Sequence, residues 1–225
     1  MKKLVIFDLD GTLIDSIDDL GTAVNHALAQ KGLPQHEISE YYMMVGNGVR
    51  RLVQRAMPGD LRSDETLLDE LLSEFIRYYS THIDVCTRPY PGIRELLLRL
   101  STEGYALAVA SNKFQSGTEA LVNGFFPDID FVDVLGNGPD APLKPSPEVV
   151  RRIMAKASEH GTMNPEDVLM VGDSSTDIQT AANAGIASIA VTWGFRPAET
   201  LTDATYLASS PEALGAIISR HADIR

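Results

Sequence analysis

Short apolar runs that end in polar turns recur along the chain, and this pattern constrains the fold more than any other feature. Residues 4–7 form a continuous apolar run that leads into residues 8–12, DLDGT. Such a run is typical of a strand buried on both faces of a sheet and followed by a tight glycine turn. Four later segments are predicted strands of similar design: residues 106–110, 132–135, 168–171 and 187–191.

Helical patterns separate these predicted strands. Apolar side chains recur at helical spacing in them, and a glycine follows directly where a helix should stop. We predict helices over residues 92–104, 147–160 and 176–184. The alternation of strands and helices predicts parallel strands joined by right-handed crossovers, and therefore an α/β fold with a doubly wound parallel sheet.

Residues 15–85 interrupt this alternation. Amphipathic helical patterns follow one another there without a convincing buried strand. These predicted helices cover residues 16–31, 48–57 and 64–82. We therefore predict two domains, an α/β core and an inserted helical domain. The core comprises residues 1–14 and 86–225, and the helical domain comprises residues 15–85.

The composition indicates a folded, acidic protein. Hydrophobic residues make up 44% of the 225 residues and charged residues 22%, which is ordinary for a globular chain. The net charge of −12 argues against binding to nucleic acid or to an anionic membrane. Aspartates interrupt the first apolar run too early for a signal peptide, and no run is long enough to span a bilayer. We expect a cytoplasmic protein, as a monomer or a homodimer, and the single cysteine excludes an internal disulfide.

Polar side chains follow the predicted strands, at the edge where parallel sheets bind ligands. They are Asp8, Asp10, Ser111, Asn112, Lys144, Asp173 and Asp177. Converging carboxylates repel one another, by about 4 kcal/mol for two unit charges about 4 Å apart at an effective dielectric constant of about 20. A divalent cation that prefers oxygen ligands, such as Mg²⁺, would offset this repulsion and commonly bridges to a substrate phosphate. The sequence therefore indicates phosphoryl chemistry.

Four motifs in chain order resemble those of the haloacid dehalogenase superfamily. They are DxDGT at residues 8–12, Ser111 after a strand, Lys144 in KPSP, and GDSSTD at residues 172–177. One such string is moderate evidence, but four in order at predicted strand ends are a strong signal. The resemblance covers the whole chain and implies a Rossmann-like core with a small all-helical cap inserted after the first strand. The helical domain predicted above matches that cap.

The resemblance implies a phosphatase of small phosphorylated metabolites and gives the aspartates their roles. Asp8 is the expected nucleophile that forms an aspartyl-phosphate, and Asp10 is the expected general acid and base. Mg²⁺ is the expected cofactor, held by Asp8, the backbone carbonyl of Asp10, and Asp173. Asp177 is expected to support the metal through water or through a neighbouring ligand.

The resemblance also implies that Ser111 and Lys144 hold the phosphoryl oxygens, with Lys144 balancing charge in the transition state. Plainer alternatives exist for several residues. Serine also caps helices, and Asp177 suits a helix N-terminus because of the helix dipole. Asn112, a candidate substrate-binding residue, and Lys113 are about equally consistent with a purely structural role.

A glycine-rich segment in the helical domain is the candidate for substrate recognition. Residues 45–52, VGNGVRRL, resemble the cap segment of 2-phosphoglycolate phosphatases. A loop whose backbone amides open a helix can bind a small anion. We therefore predict substrate contacts from Gly46, Asn47, Gly48 and Arg50, although for Arg50 a solvated helix residue is the favoured alternative.

The expected reaction is hydrolysis of 2-phosphoglycolate, and three alternatives stay open. The first is a phosphatase of broader range, acting on sugar phosphates, nucleotides or pyrophosphate. The second is a sugar-phosphate mutase, although the Gly-x-Ser-Arg loop of those enzymes is absent from this sequence. The third is a non-catalytic, receiver-like module with a phosphorylatable aspartate, against which Asp10, Lys144 and the cap argue. Asp10 also argues against dehalogenation, which lacks the second aspartate.

Overall fold

A six-stranded parallel sheet forms the centre of the protein in the computed structural model, which describes residues 3–138, 142–160 and 163–223. The strands are β1 (Leu4–Phe7), β2 (Ile14–Asp15), β3 (Arg88–Pro89), β4 (Ala106–Phe114), β5 (Phe131–Asn137), β6 (Val168–Gly172), β7 (Ala187–Val191) and β8 (Tyr206–Ala208). The large sheet has the order β5-β4-β1-β6-β7-β8, and each neighbouring pair is parallel. The predicted doubly wound α/β fold is confirmed, and all five predicted strands are present.

Helices cover both faces of this sheet and form the inserted domain. In the described residues they are α1 (Ile17–Gln30), α2 (Ile38–Tyr41), α3 (Val49–Ala56), α4 (Glu65–Tyr79), α5 (Ile93–Thr102), α6 (Gln115–Phe125), α7 (Glu148–Ala157), α8 (Ser175–Ala184) and α9 (Pro211–Asp223). The six helices predicted from the sequence are confirmed to within a few residues, while α2, α6, α9 and strand β8 were not predicted.

Strand β1 lies at the centre and is buried on both faces. Leu4 and Ile6 join one hydrophobic cluster, which includes side chains of α7 and α8. Val5 and Phe7 join the cluster on the opposite face, with side chains of α5, α6 and α9. This arrangement explains why the strand is a continuous apolar run instead of an alternating one.

The helical insertion has a hydrophobic core of its own. Buried side chains of α1, α3 and α4 pack together there, and Phe195 from the segment after β7 joins this cluster. At its base, β2 pairs with β3 in a short antiparallel ladder. Asp19 of α1 accepts hydrogen bonds from the backbone amides of Cys86 and Thr87 at 2.8–2.9 Å. The all-helical cap after the first strand is therefore confirmed, while its boundaries at residues 15 and 85 stay a prediction.

None of the helices in the described part of the chain is long and apolar enough to cross a membrane.

Candidate active site

The carboxyl ends of the central strands place three carboxylates together. One oxygen atom from each of Asp8, Asp173 and Asp177 lies within 4.8 Å of the others. All three residues are buried, with Asp177 only 2% exposed. Asp8 follows β1, Asp173 follows β6, and Asp177 lies in the first turn of α8. The parallel register of β1 and β6 sets the first two side by side.

Lys144 lies between two of these carboxylates. Its Nζ is 2.8 Å from Asp8 Oδ1 and 2.6 Å from Asp177 Oδ1. Burial by itself would lower the pKa of Lys144, but the charges of Asp177 and Asp8 outweigh burial and raise this pKa above its ordinary value. Lys144 is therefore a permanently charged ammonium group beside Asp8.

One ammonium group does not balance three carboxylates. Burial raises the pKa of Asp8 well above its ordinary value, and the charges of Asp177 and Asp173 add to this although Lys144 opposes it. Burial, with the charge of Asp177, likewise raises the pKa of Asp173 to about 7. The cluster is thus electrostatically unfavourable in its ionised form and suited to a cation with oxygen ligands.

Asp10 lies beside this cluster and faces a different set of partners. Lys113 Nζ donates to Asp10 Oδ1 at 2.9 Å and to Oδ2 at 3.1 Å. Ser16 Oγ donates to Asp10 Oδ1 at 2.6 Å. Lys113 also lies over the ring of Tyr79, 4.7 Å from its centroid, as a cation–π contact. These contacts fix the carboxylate of Asp10 at the entrance to the cluster, between the core and helix α4.

The turn after Asp10 requires glycine for two reasons. Gly11 has φ of +83°, which L-residues rarely adopt. A Cβ atom at this position would also lie 2.3 Å from Asp173 Oδ2. The same Oδ2 accepts a hydrogen bond from the backbone amide of Phe195 at 2.7 Å. The DxDGT turn and the segment after β7 therefore both hold Asp173 in place.

Asp177 combines the two roles considered for it in the sequence. Its Oδ2 accepts hydrogen bonds from Ser174 Oγ at 2.6 Å and from the Ser174 amide at 3.2 Å, as part of a capping box at the start of α8. Its Oδ1 holds Lys144. Helix capping and support of the cluster are thus performed by different oxygen atoms of one carboxylate.

Ser111 and Asn112 lie within β4, which extends beyond the predicted end at residue 110 to Phe114. The prediction that the strand ends at residue 110 was therefore wrong, because pairing with β5 resumes at Phe114 after a register shift. Ser111 lines the cleft, and its Oγ accepts a hydrogen bond from the Lys113 amide at 3.2 Å.

The side chain of Asn112 is engaged with backbone groups on two segments. Its Oδ1 accepts from the Lys144 amide at 2.8 Å, and its Nδ2 donates to the carbonyl oxygens of Lys144 and Gly46, both at 3.1 Å. Asn112 therefore positions Lys144. It also fastens the loop between α2 and α3, residues 42–48, to the core, and it lines the cleft. We call these residues the cap loop.

A narrow cleft lies between the core and the cap, with a cavity volume of about 40 Å³. A cavity of this size has room for a few water molecules. Its lining residues from the core are Asp8, Asp10, Ser111, Asn112, Lys113, Asp173, Ser174, Phe195 and Arg196. From the cap they are Leu20, Val45, Gly46, Gly48, Val49 and Leu52. The cleft is therefore charged on the core side and apolar or backbone-lined on the cap side.

The predicted cap residues divide into two groups. Gly46 and Gly48 line the cleft, and Gly48, with φ of +83°, precedes the first turn of α3. Asn47 instead bridges the domains, because its Nδ2 donates to Thr176 Oγ1 at 3.2 Å and its Oδ1 accepts from Arg55 at 2.6 Å.

Arg50 is placed away from the cleft. Its guanidinium group contacts Asp69 and Glu65, both at 2.5 Å, on the exposed surface of the cap. The structure does not bring Arg50 to the other candidate residues, in agreement with the solvated alternative.

Three residues of the site were missed or left undecided by sequence reasoning. Ser16 precedes α1 but makes no side-chain capping bond, and its hydroxyl donates to Asp10 instead. Lys113 was left between a functional and a structural role. Arg196, which lines the cleft, was not considered. Because Arg196 follows β7 by a few residues, extending the search of polar residues after strands to β7 would have found it.

Comparison with known proteins agrees with this geometry. The sequence model for haloacid dehalogenase-like hydrolases matches residues 5–191. The phosphoglycolate phosphatase of Mesorhizobium japonicum is 36% identical over 195 residues, which is 86% of this chain and 84% of that protein. The phosphoglycolate phosphatase of Aliivibrio fischeri is 34% identical over 209 residues, 89% of this chain and 88% of that one.

Among solved structures, a protein from Lactobacillus delbrueckii subsp. bulgaricus superposes with a TM-score of 0.87 at 31% identity, covering 97% of this chain and 99% of that chain. The match to the family extends from the first strand through β7 and includes the segments that supply every carboxylate of the cluster. The chain belongs to the haloacid dehalogenase-like hydrolase family.

Proposed function

We propose that this protein is a Mg²⁺-dependent phosphatase that hydrolyses small phosphomonoesters, with 2-phosphoglycolate as the preferred substrate. The observation that carries the proposal is the buried contact of Asp8 with Lys144 beside Asp173 and Asp177, at the base of a closed cleft. A carboxylate nucleophile, a fixed ammonium group and a site for a hard cation are the components that phosphoryl transfer needs.

The donor set fits Mg²⁺. The three clustered groups offer only carboxylate oxygens, and one lysine leaves two of their negative charges uncompensated. Asp8 and Asp173 would hold the ion directly, with the Asp10 carbonyl as a further predicted ligand. Asp177, whose two oxygens already bind Lys144 and Ser174, would support it indirectly. When bound, the ion would neutralise charge on the phosphoryl group and on Asp8.

In the first chemical step, an oxygen of Asp8 attacks phosphorus, and the bond between phosphorus and the substrate alcohol breaks. Asp10 gives its proton to the departing alcohol. In the second step, Asp10 takes a proton from a water molecule whose oxygen attacks phosphorus. The acyl-phosphate bond breaks, which releases inorganic phosphate and restores the carboxylate of Asp8.

The surrounding residues hold these groups in place for both steps. Ser16 and Lys113 bind the same carboxylate of Asp10, so it stays within one orientation at the cluster entrance. Lys144 faces the oxygen of Asp8 and would stabilise the negative charge of the phosphoryl group as it transfers. Ser111, which lines the cleft next to them, would donate its hydroxyl to a phosphoryl oxygen.

Two observations support 2-phosphoglycolate in particular. Relatives named phosphoglycolate phosphatase are 34–36% identical over most of both chains. The cleft is closed on the cap side by Gly46 and Gly48, whose backbone would admit only a short substrate tail. We further propose that residues 15–85 act as a lid that excludes bulk water from the aspartyl-phosphate.

Release of inorganic phosphate tests this proposal. The wild-type protein should hydrolyse 2-phosphoglycolate with a higher kcat/KM than sugar phosphates, nucleotides and pyrophosphate, and chelation of Mg²⁺ should abolish turnover. Asp8→Asn should fold and bind Mg²⁺ but lose roughly four orders of magnitude or more in kcat, because the nucleophile is gone. Equal rates across the panel would leave a phosphatase of broad range. Full activity of Asp8→Asn would overturn the mechanism.

A further inference from the structure

Arg196 is a cation at the cleft that the proposed chemistry does not use. It lies on the segment after β7, next to Phe195, whose amide is bound to Asp173 Oδ2. The backbone of Arg196 is thereby fixed to the carboxylate cluster, while its side chain lines the cleft together with Asp8, Asp10 and the cap loop.

The guanidinium group crosses from the core to the cap. Its two terminal nitrogens donate hydrogen bonds to the carbonyl oxygens of Tyr42 and Val45. These residues belong to the cap loop, which lines the cleft at Gly46 and Gly48. A Cβ atom added at Gly46 would lie 3.4 Å from Arg196 Nη2, so glycine lets this loop approach the guanidinium closely.

The charge of Arg196 is not paired with a carboxylate. Among the residues that the structure describes, no carboxylate oxygen lies within 4.0 Å of its side-chain nitrogens. The contrast with Arg50 is informative, because Arg50 contacts two carboxylates at 2.5 Å on the surface. The carboxylates of Asp173 and Asp177 act on the charge of Arg196 from a greater distance. The groups in direct contact with its guanidinium are neutral carbonyls, which leave part of its hydrogen-bonding capacity unused.

Arg55 makes this part of the cleft more positive. It donates to the Met44 carbonyl at 2.7 Å and to Asn47 Oδ1 at 2.6 Å, on the same cap loop that Arg196 binds. Arg55 has no carboxylate partner within 4.0 Å in the described residues either, and it does not line the cleft. Two half-buried guanidinium groups therefore meet at one loop, and neither has a carboxylate in direct contact among the described residues.

We propose that Arg196 is the specificity residue that binds an anionic tail, a carboxylate, on the substrate. This inference rests on the proposed phosphatase function and names the group that distinguishes the preferred substrate from other phosphomonoesters. Arginine presents five N–H donors in a planar fork, of which two are used on the cap carbonyls. The remaining donors suit a carboxylate, which accepts charge-assisted hydrogen bonds from the planar fork.

The position of Arg196 also couples recognition to closure of the cap. A substrate carboxylate held by Arg196 would lie against the carbonyl-bound loop, so tail binding and contact between core and cap are made by one side chain. A substrate without the carboxylate would leave the remaining guanidinium donors without an acceptor in the cleft. Such an analogue loses more than one hydrogen bond, because each unused donor has also given up its water.

The test compares two substrates that differ only in the tail. 2-Phosphoglycolate carries a carboxylate, and 2-hydroxyethyl phosphate has a neutral hydroxymethyl group in its place. The ratio of kcat/KM for the first to kcat/KM for the second should fall by roughly tenfold to a hundredfold in Arg196→Gln, since charge-assisted hydrogen bonds to the tail are lost. Arg196→Lys, which keeps the charge but loses the fork, should fall between the wild type and Arg196→Gln.

Arg55→Gln is the matched control. It removes a guanidinium that binds the same cap loop but does not line the cleft. It should change kcat/KM for both substrates by the same factor, so the ratio should match the wild-type ratio. If Arg196→Gln also lowers both substrates equally, Arg196 only fastens the loop, and the specificity assignment is overturned.

The proposed function can fail separately. If the wild-type protein releases phosphate from neither substrate, the phosphatase proposal itself is wrong. If it turns over both but prefers the neutral one, phosphatase activity stands and carboxylate recognition by Arg196 is excluded.

Discussion

The core side and the cap side of the cleft differ in the chemical groups that line them. On the core side the residues proposed for chemistry are buried and ionisable. Asp8 and Asp173 follow strand ends, Asp177 lies in the first turn of α8, and Lys144 lies on the loop before α7. On the cap side, backbone atoms of Gly46 and Gly48 line the cleft. Chemistry needs charge fixed in place, whereas recognition of a short tail needs shape and close approach.

The contacts between the two sides are also polarised. Core side chains reach out to backbone groups of the cap, as Asn112 does to the Gly46 carbonyl and Arg196 to the Val45 carbonyl. Lys113 contacts both Asp10 and the ring of Tyr79 on helix α4. Asn47 of the cap makes the reverse contact, because its side chain donates to Thr176 Oγ1 of the core at 3.2 Å. Most of these polar contacts are nevertheless made by side chains of the core.

Apart from the loss of the nucleophile in Asp8→Asn, the largest expected effect comes from another change on the core side. Lys144→Met removes the ammonium group that faces both Asp8 and Asp177. Loss of one preorganised charge at a transferring group typically costs about a hundredfold to a thousandfold in kcat. Phosphate release at saturating 2-phosphoglycolate would measure this loss.

Lys156→Met is the matched control for that experiment. Lys156 contacts Asp133 at 2.7 Å, and its side chain is 52% exposed. Unlike Lys144, it contacts no residue of the carboxylate cluster through this ion pair. An exposed pair of this kind contributes about 1 kcal/mol or less to stability. Comparable kcat in the two lysine variants would show that the core side does not depend on its buried charge.

Asp8 and Asp173 were predictable from the sequence because each directly follows a buried strand. A strand buried on both faces gives a continuous apolar run, and the polar residue after it marks the ligand-binding edge. Lys144 lies on the loop before α7 and was identified from its KPSP motif. The extension of β4 to Phe114 was not predictable. Ser111, Asn112 and Lys113 are polar, so they do not continue the apolar run, and the pairing with β5 is irregular there.

The cap side was predictable only in outline. Helical periodicity identifies α1, α3 and α4, but it does not say which surface residues face the cleft. Arg50 lies in the first turn of α3, beside Gly48, and nevertheless turns toward Asp69 and Glu65 on α4. Arg196 reaches the cap from a segment about 150 residues away along the chain, and local patterns carry no signal of such a contact.

A smaller effect is expected from a change on the cap side. Gly48→Ala places a side chain on a residue with φ of 83° and ψ of 161°, a region almost restricted to glycine, where strain costs about 1–3 kcal/mol. The loop should shift, and KM for 2-phosphoglycolate should rise by roughly fivefold to tenfold while kcat changes by less than about threefold. Steady-state kinetics with an aryl phosphate, which has no tail for the loop to contact, should show a smaller change in KM. Equal changes in KM for both substrates would contradict the proposal that the cap contacts the substrate tail.

The smallest expected effect concerns how Mg²⁺ and protons compete at the core side. Burial, with the charge of Asp177, raises the pKa of Asp173 from 3.8 to about 7. The folded protein therefore binds this proton more tightly than the unfolded chain does. The resulting stabilisation is complete below pH 3.8 and is lost as the pH rises through about 7.

A bound cation would take over the role of that proton, so Mg²⁺ should stabilise the protein more above this pH range than below it. We expect Mg²⁺ to raise Tm by a few degrees at about pH 8, since about 1 kcal/mol corresponds to roughly 2–4 °C for a chain of this size. At about pH 5.5 the rise should be smaller, because the proton competes for Asp173. Scanning calorimetry with and without Mg²⁺ at both pH values measures the difference. Asp173→Asn should reduce both the rise in Tm and its pH dependence, while Asp8, whose pKa is also raised by burial, would still contribute. A rise in Tm that is the same at both pH values and unchanged in Asp173→Asn would place the stabilising cation outside the carboxylate cluster.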